Sequence, residues 1–261
     1  MTSARFSSSQ LHELDQVEST QDEARRLLAL EPHPLHSAWV LARHQSQGRG
    51  RQGRTWIATE DSLILSAAFR LTKPAIRKPL VSLWAGSALF EALRELTGDC
   101  AGVFLKWPND LVVSQSDGLA KIGGILAEAR GAENVVVGWG VNLESSPRDP
   151  LFRASSLKEA GLFPSGAPSP RTLANALRSQ FLRALDDWES RGEVAERTLL
   201  EDLRTGPMKP LWGKRGVLVS GFSATALSLD DSGALSVQLE EGPEAGQIVS
   251  VSAGEFRFEG T

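Results

Sequence analysis

The sequence predicts an α+β protein, with a larger domain of helices and strands followed by a small all-β module. Two observations carry this prediction. Up to about residue 205, segments with apolar residues every three to four positions alternate with short runs of branched residues, the patterns of helices and strands. After Gly206-Pro207, frequent glycines separate short apolar runs, which is typical of a compact barrel. We therefore place the two domains at residues 1–208 and 209–261.

The elements can be placed in order along the chain. A helix ending at Leu30 begins near Glu18-Ser19-Thr20-Gln21-Asp22-Glu23, where hydroxyl caps precede acids in the first turn. In the all-β module, Asp230-Asp-Ser-Gly233 predicts a hairpin turn between strands 224–229 and 234–239. The remaining predicted elements are strands at 38–44 and 63–69, a helix at 78–96, strands at 103–106, 111–113, 122–127 and 135–141, a proline-rich excursion at 145–170, and a helix from residue 171.

Composition narrows the functional classes. A chain of 261 residues with 41% hydrophobic content can bury a sizeable core, and its net charge of -4 argues against general nucleic-acid binding. Cys100 is the single cysteine, so it is expected to be a small buried residue in a protein without disulfides. His33 and His36 lie among prolines with no further ligands nearby, so we predict no metal site there. Because no run resembles a signal peptide or a membrane span, the sequence predicts a soluble, cytoplasmic protein.

The most informative stretch is residues 43–54, RHQSQGRGRQGR, which we call the arginine–glycine loop. It combines three glycines and four arginines with no acidic residue. Guanidinium groups match phosphate or carboxylate oxygens two at a time, and glycines expose backbone N–H groups. The loop therefore favours an anionic ligand, with a flexible surface loop as the alternative.

Two nucleotide-binding motifs overlap the arginine–glycine loop. Gly48 to Gly53 fits the spacing G-x-G-x-x-G, and Gly48 to Thr55 resembles a P-loop with Arg54 in the place of lysine. Both motifs require a helix directly after the glycines. Because Thr55 to Thr59 is rich in β-branched and aromatic residues, we expect no helix there and interpret both matches as accidental.

Three more segments carry polar groups at strand ends. In Lys106-Trp-Pro-Asn-Asp110 the proline holds the tryptophan extended and the Asn-Asp pair makes a turn, with an ordinary loop as the alternative. In Lys121-Ile-Gly-Gly-Ile125 the paired glycines let a ligand approach the strand beside a lysine, or else mark a β-bulge with an exposed lysine. Residues 135–142 form a buried strand ending at Asn142, which by itself is more typical of a turn residue than of a ligand contact.

Together, and in this order, these segments resemble the biotin protein ligases, which attach biotin to carboxyl carrier proteins. The resemblance covers about residues 18 to 145, and the glycine-rich tail is similar to the family's SH3-like C-terminal domain. It implies a class II synthetase-like mixed-sheet catalytic domain followed by an SH3-like β-barrel. The related lipoate ligases share the fold but carry a different glycine-rich signature. The motifs that carry the resemblance are Gly48-Arg-Gly-Arg-Gln-Gly-Arg54 with Trp56, Lys106-Trp-Pro-Asn-Asp110, Lys121-Ile-Gly-Gly-Ile-Leu126 and Gly138-Trp-Gly-Val-Asn142.

The resemblance implies a two-step acyl transfer. The biotin carboxylate attacks the α-phosphate of ATP, which gives biotinyl-AMP and pyrophosphate, and Mg²⁺ is the expected companion ion. A lysine of the biotin carboxyl carrier protein of acetyl-CoA carboxylase, or of a related carboxylase, then attacks this adenylate. Because the first step joins two anions, arginine and N–H donors lower its barrier by neutralising charge and positioning the reactants.

The resemblance also implies roles for individual residues, and it implies no metal-ligating side chain. The implied catalytic residues are Arg49, Arg51 and Lys121. The implied biotin-binding residues are Ser19, Thr20, Gln21, Gln45, Arg49, Gly50, Arg51, Lys121 and Gly124. The implied ATP-binding residues are Arg51, Arg54, Trp56, Lys106, Asn109 and Asn142.

The chain departs from the family pattern at two positions. Gln21 stands where asparagine is usual and is one methylene longer, and Gln52 stands where arginine is common. About 17 residues precede Glu18, too few for the winged helix-turn-helix of DNA-binding members, so we expect a ligase with neither nucleic-acid nor membrane partners. The oligomeric state is left open, with a homodimer among the options.

Three other functional classes remain as alternatives. A small-molecule-binding protein would use the same pocket without chemistry. A nucleic-acid-binding module would use the cationic loop and the barrel-like tail. A lipoate ligase or another acyl-adenylate transferase would use the same chemistry on a different carboxylate.

Overall fold

The computed structural model describes residues 10–30, 37–71, 78–116, 118–130, 134–148 and 153–259. The predicted His33 and His36 loop lies outside the described residues. Within the described residues, no helix combines the length and apolar character needed to cross a membrane.

The described residues form two β-sheets and four α-helices, which confirms the α+β class. The first part of the chain contributes β1 (Leu11–Val17), α1 (Thr20–Leu30), β2 (Ser37–Gln45), β3 (Leu63–Arg70), α2 (Lys78–Thr97), β4 (Val103–Lys106), β5 (Asp110–Gln115), β6 (Gly118–Arg130), β7 (Asn134–Val141), α3 (Pro170–Arg191) and α4 (Glu193–Thr205). The second part contributes β8 (Arg215–Leu218), β9 (Ser223–Leu229), β10 (Leu235–Leu239), β11 (Ile248–Val251) and β12 (Phe256–Phe258).

A seven-stranded mixed sheet organises the larger part of the chain. Its strand order is β1-β2-β3-β7-β6-β5-β4, with β1 parallel to β2 and the other neighbours antiparallel. Strands β6 and β7 are therefore central, and their register places Gly124 opposite Gly140. Two of the motifs recognised in the sequence thus lie side by side, although the paired Gly124 and Gly140 are 16 residues apart along the chain.

Helices cover both faces of this sheet. On one face, α1 buries Ala24 and Leu28, one turn apart, against small and branched side chains of β2, β3 and β7. On the other face, Trp39 stacks on Trp139 with ring centroids 5.8 Å apart, and Phe181 of α3 meets Trp139 edge-on at 5.1 Å. Successive strand residues point to opposite faces, so the near-continuous apolar runs of the sequence supply both layers.

The C-terminal strands form an antiparallel sheet in the order β11-β10-β9-β8-β12. The predicted hairpin is confirmed, because the Asp230 carboxylate accepts the backbone N–H groups of Ser232 and Ala234 at 2.8 and 3.0 Å and Gly233 has a φ of +81°. Buried side chains of this sheet belong to the same hydrophobic core as helix α2. The division of the chain after residue 208 stays a prediction.

Three features differ from the sequence-based expectation or add to it. Strand β1 was not predicted, because its sequence LHELDQV is mostly polar and it pairs only along one edge. The Trp107–Pro108 peptide bond is cis. Cys100 is buried as expected, and burial raises the pKa of its thiol.

Candidate active site

A cavity of about 260 Å³ gathers the polar motifs of the sequence at one place. Its described walls come from the start of α1, the arginine–glycine loop, the β4–β5 turn, strands β6 and β7, and strand β12 of the C-terminal sheet. The structure brings all the site residues implied by the resemblance to this one cavity. They are Ser19, Thr20, Gln21, Gln45, Arg49, Gly50, Arg51, Arg54, Trp56, Lys106, Asn109, Lys121, Gly124 and Asn142.

The start of α1 forms a buried polar end of the cavity. The Thr20 backbone N–H donates to Gln45 Oε1 at 3.2 Å, and its hydroxyl is 2.8 Å from that of Ser66. Gln21 Nε2 donates to the backbone carbonyl of Leu126 at 2.9 Å. Hydroxyl and amide groups are thus held in place at the base of the cavity, where they can orient the polar end of a small ligand.

The longer side chain of Gln21 has a structural counterpart in the facing strand. A Cβ added at Gly138 would lie 3.3 Å from three atoms of the Gln21 side chain, closer than ordinary contact. Gly138 therefore leaves the space that this side chain uses to reach β6.

The arginine–glycine loop closes on itself. The Gly50 N–H donates to the Arg54 carbonyl at 2.7 Å, and the Trp56 N–H donates to the Gly48 carbonyl at 2.9 Å. Gln52 adopts a φ of +55°, which is unusual for a residue other than glycine. No helix follows between residues 54 and 62, so the two overlapping nucleotide motifs are accidental, as the sequence predicted.

Arg51 is one of three loop arginines, with Arg49 and Arg54, that line the cavity. Its Nη1 donates to Asn109 Oδ1 at 3.0 Å, and Asn109 Nδ2 in turn donates to the Ile125 carbonyl at 2.7 Å. Burial lowers the pKa of Arg51, against the attraction of Asp110, without approaching neutrality. A partly desolvated guanidinium held by an amide is well placed to receive an anionic ligand.

Two lysines share the carboxylate of Asp110, the residue next to Asn109. Lys121 Nζ lies 2.6 Å from Asp110 Oδ1, and Lys106 Nζ lies 4.0 Å from Asp110 Oδ2. Burial lowers the pKa of Lys106, opposed by Asp110 and reinforced by nearby basic groups. Since six basic side chains and one carboxylate are found among the described residues lining the cavity, the site carries an excess of positive charge.

The Asp110 carboxylate is also relevant to whether side chains of this protein could hold the expected Mg²⁺. Asp110 is the single acidic side chain among the described residues that line the cavity, and lysine already neutralises it. Across the described chain, no three His, Cys, Asp or Glu side chains converge as metal ligands. These residues do not form a protein-held magnesium site.

The strand around Lys121 contains the β-bulge that the sequence offered as an alternative. Leu111 pairs with Gly123 but Val112 pairs with Lys121, so Ile122 is the extra residue of a β-bulge. The bulge was therefore a correct alternative. The expectation that this lysine is exposed was wrong, because the Lys121 side chain is 26% exposed and forms an ion pair inside the cavity.

The Trp56 indole packs against two glycines, Gly124 of β6 and Gly140 of β7. A Cβ added at Gly140 would be 2.3 Å from Cε2 of the indole, and one added at Gly124 would be 3.5 Å from Cζ3. Lys121 Nζ is 5.8 Å from the ring centroid on the same side of the cavity. The indole nitrogen is buried and finds no hydrogen-bond partner among the described residues. The glycines facing each other in β6 and β7 therefore permit an aromatic wall beside the cationic groups.

Asn142 is a buried side chain, contrary to its interpretation as a turn residue. Its Nδ2 donates to the Ser155 carbonyl at 2.9 Å, and it is 2% exposed. Its Oδ1 is buried with no partner in the part of the chain that the structure describes. A buried acceptor without a donor is costly, so this oxygen is suited to an N–H group of a ligand.

The sequence did not indicate that the C-terminal sheet reaches the site. Phe256, Arg257 and Phe258 of β12 line the cavity, and Gly254 lies next to Gln52 of the arginine–glycine loop. Trp107 connects the two parts, because its buried Nε1 donates to the Gly233 carbonyl at 3.1 Å. The alternation Phe256-Arg257-Phe258 was the one sequence signal, because it places the arginine on the opposite face of the strand from the two phenylalanines. The direction in which that face points depends on how the strand pairs with its neighbours.

Comparisons with known proteins agree with this geometry. Residues 14–142 match the model of the biotin/lipoate A/B protein ligase family. The chain is 31% identical over 255 residues to the biotin–acetyl-CoA-carboxylase ligase of Paracoccus denitrificans, covering 90% of this chain and 96% of that one. It is 30% identical over 221 residues to the enzyme of the same name from Mycobacterium tuberculosis, covering 83% and 77%. The biotin protein ligase of Leishmania major in complex with biotinyl-5-AMP is similar in structure, with a TM-score of 0.65, 27% identity and coverage of 93% and 98%.

Proposed function

The chain belongs to the biotin protein ligase family and is a ligase, and from this premise we propose that it activates biotin with ATP and transfers it to a lysine of a carrier protein. The observation that carries the proposal is the cavity itself. A polar end, a cationic middle and an aromatic wall with a buried acceptor lie in one space of about 260 Å³. These three regions correspond in order to a ureido ring, a carboxylate beside a phosphate, and a purine.

The polar end is assigned to the biotin ring. A ureido group offers two N–H donors and one carbonyl acceptor, which match amide and hydroxyl side chains. Ser19 and Thr20 at the start of α1 and Gln45 at the end of β2 supply such groups. Hydrogen bonds between Thr20 and Gln45 hold these two residues in place before a ligand arrives. Preorganised polar groups reduce the entropy lost on binding.

The cationic middle is assigned to the first chemical step. An oxygen of the biotin carboxylate attacks the α-phosphorus of ATP, the bond to the β-phosphate oxygen breaks, and pyrophosphate leaves with its electron pair. Arg51 and Lys121 are the groups that we place beside the reacting carboxylate and phosphate. Asn109 and Asp110 orient them, at 3.0 and 2.6 Å. Fixed cations stabilise charge that water would otherwise have to reorganise around.

The aromatic wall is assigned to the nucleotide. The Trp56 indole offers a face for base stacking, and Asn142 Oδ1 accepts an N–H of the base. Arg54 and Lys106 are placed at the phosphates, together with Arg257 from the C-terminal sheet.

The second step requires no nucleophile from this chain. The amine of the acceptor lysine attacks the acyl carbon of biotinyl-AMP, the bond to the phosphate oxygen breaks, and AMP leaves. A larger cavity of about 1050 Å³ lies along the arginine–glycine loop, and its lining includes Ser82 of α2 and Ser232 of the β9–β10 turn. We assign the approach of the lysine to this cavity, and we expect the acceptor to be the biotin carboxyl carrier protein of a carboxylase.

The test is pyrophosphate release from ATP with biotin, lipoate or octanoate, followed by label transfer to a biotin carboxyl carrier domain. Release that depends on biotin, with transfer to the carrier, supports the proposal. Release with lipoate alone would identify the chain as a lipoate ligase. No release with any of these carboxylates contradicts the proposed chemistry and favours a binding protein.

A further inference from the structure

Four charged side chains form a closed ring beside the arginine–glycine loop, and we call it the charge ring. Arg49 donates from both terminal nitrogens to the Asp22 carboxylate, at 2.5 and 3.0 Å. Arg25 bridges Asp22 at 2.5 Å and Glu128 at 2.8 Å. Glu128 closes the ring with a contact of 3.8 Å to Arg49. The ring is neutral and alternates in sign at every step.

The charge ring connects three elements that build the cavity of about 260 Å³, namely helix α1, strand β6 and the arginine–glycine loop. Of its four residues, only Arg49 is among the described residues that line this cavity. Asp22 and Arg25 follow the polar start of α1, Glu128 lies two residues beyond the carbonyl that receives Gln21, and Arg49 belongs to the loop. Asp22 is not among the described residues that line either cavity. Its carboxylate therefore reaches the site through Arg49.

The ring fixes the orientation of Arg49. A guanidinium that binds one carboxylate through two parallel N–H groups has a defined plane. The hydrogen bond from Arg49 lowers the pKa of Asp22 to about 2, so the carboxylate is charged at any working pH. Because these side chains are partly exposed, with side-chain exposures of 24% to 51%, the ring acts by geometry more than by net energy.

We propose that Asp22 is a positioning residue, which holds Arg49 and thereby keeps the first half of the arginine–glycine loop against the cavity, so that biotin and biotinyl-AMP are retained. This inference rests on the proposed biotin chemistry of that cavity. It gives Arg49 an anchoring task in addition to the substrate contact that the family resemblance implies. Gly48 and Gly50, on the two sides of Arg49, have no side chain that could hold this segment.

The test compares Asp22→Asn and Arg49→Gln alone and combined. Asp22→Asn keeps the shape but removes the charge, and we expect a rise in KM for biotin and in the release rate of biotinyl-AMP of about three- to tenfold. The rate of pyrophosphate release at saturating substrates should stay within about twofold. In the Arg49→Gln background the same change should add little to the loss of retention, since the guanidinium that Asp22 positions is gone and Arg25 keeps its ion pair with Glu128. Equal losses in both backgrounds would overturn the proposal.

Glu23 provides a matched control on the same helical turn. It pairs with Arg26 at 2.6 and 2.8 Å, three residues along the helix as Arg25 is from Asp22, and among the described residues no hydrogen bond or ion pair joins it to the loop. Glu23→Gln shares any effect on the helix dipole and should leave KM and release unchanged. Asp22→Glu restores the charge and should recover part of the retention. A loss of the same size in Glu23→Gln would contradict the positioning role.

A second measurement needs no substrate. Trypsin cleaves after arginine, so cleavage within residues 49–54 of the ligand-free protein reports how firmly the loop is held. Asp22→Asn should accelerate it about threefold or more, with Glu23→Gln unchanged. If the wild type releases no pyrophosphate with biotin, the proposed function fails while the cleavage result still tests the anchoring. If the wild type is active and Asp22→Asn matches it in both measurements, the positioning role alone is refuted.

Discussion

Gly140→Ala is expected to displace the Trp56 indole without disturbing the sheet. The added Cβ would lie 2.3 Å from Cε2, 2.6 Å from Cζ2 and 2.7 Å from Nε1, where ordinary contact begins at 3.4 Å. Gly140 pairs with Ile64 on one side and Gly124 on the other, so its backbone is fixed. The ring must therefore retreat by roughly 1 Å or more, and the aromatic wall of the cavity opens.

The size of the effect follows from what the indole contributes. Stacking of one base on an aromatic side chain is worth about 1–3 kcal/mol, and each 1.4 kcal/mol corresponds to about tenfold in affinity. We therefore expect KM for ATP to rise by about 5- to 100-fold. The KM for biotin should change little, because the polar end of the cavity lies at the start of α1.

The assay is the initial rate of pyrophosphate release, with ATP varied at saturating biotin and then the reverse. Gly138→Ala is the matched control, since it lies two residues earlier on the same face of β7 and meets the Gln21 side chain at 3.3 Å. It should raise KM for biotin by about two- to fivefold and spare KM for ATP, because a flexible side chain can yield. If Gly140→Ala leaves KM for ATP unchanged, or if both variants raise both constants equally, Trp56 does not form a wall of the ATP site.

Three further predictions follow from the site and its supports. Arg51→Gly should release biotinyl-AMP faster while affecting initial adenylation less, because the loop loses the guanidinium bound to Asn109; tight retention measured by gel filtration would contradict this. Saturating biotin should protect residues 49–54 from trypsin, since a glycine-rich loop orders over its ligand, and unchanged cleavage would count against that role. Trp107→Phe removes the buried hydrogen bond to the Gly233 carbonyl and should lower the free energy of unfolding in urea by about 1–3 kcal/mol, whereas an unchanged midpoint would show that the bond contributes little.

The sequence predicted those parts of the molecule that local patterns determine. The apolar run at residues 63–69 and the turn Asp230-Asp-Ser-Gly233 were placed correctly because branched residues and turn residues act within a few positions. Those members of the cavity that were predicted came from the family resemblance that four ordered motifs carry, not from periodicity. Their roles in catalysis stay predictions.

Long-range pairing accounts for what the sequence could not supply. The charge ring joins residues 22, 49 and 128, and no local pattern relates such distant positions. The bulge at Ile122 depends on the register between β5 and β6, and the contact of Trp56 with Gly140 depends on which strands are neighbours. Strand β1 forms because β2 offers a parallel edge, a condition that its own polar sequence does not reveal.

The shared hydrophobic core limits how the C-terminal sheet can be exchanged between proteins. Gly233 lies so close to helix α2 that a Cβ would meet Leu80 at 2.8 Å and Leu83 at 3.0 Å. A sheet transplanted from a relative must reproduce this bare turn, as well as the carbonyl that receives Trp107 and the arginine of β12 at the cavity. The sheet thus forms one wall of the candidate active site, and exchanging it between proteins as an independent unit would require a redesign of helix α2 at the same time.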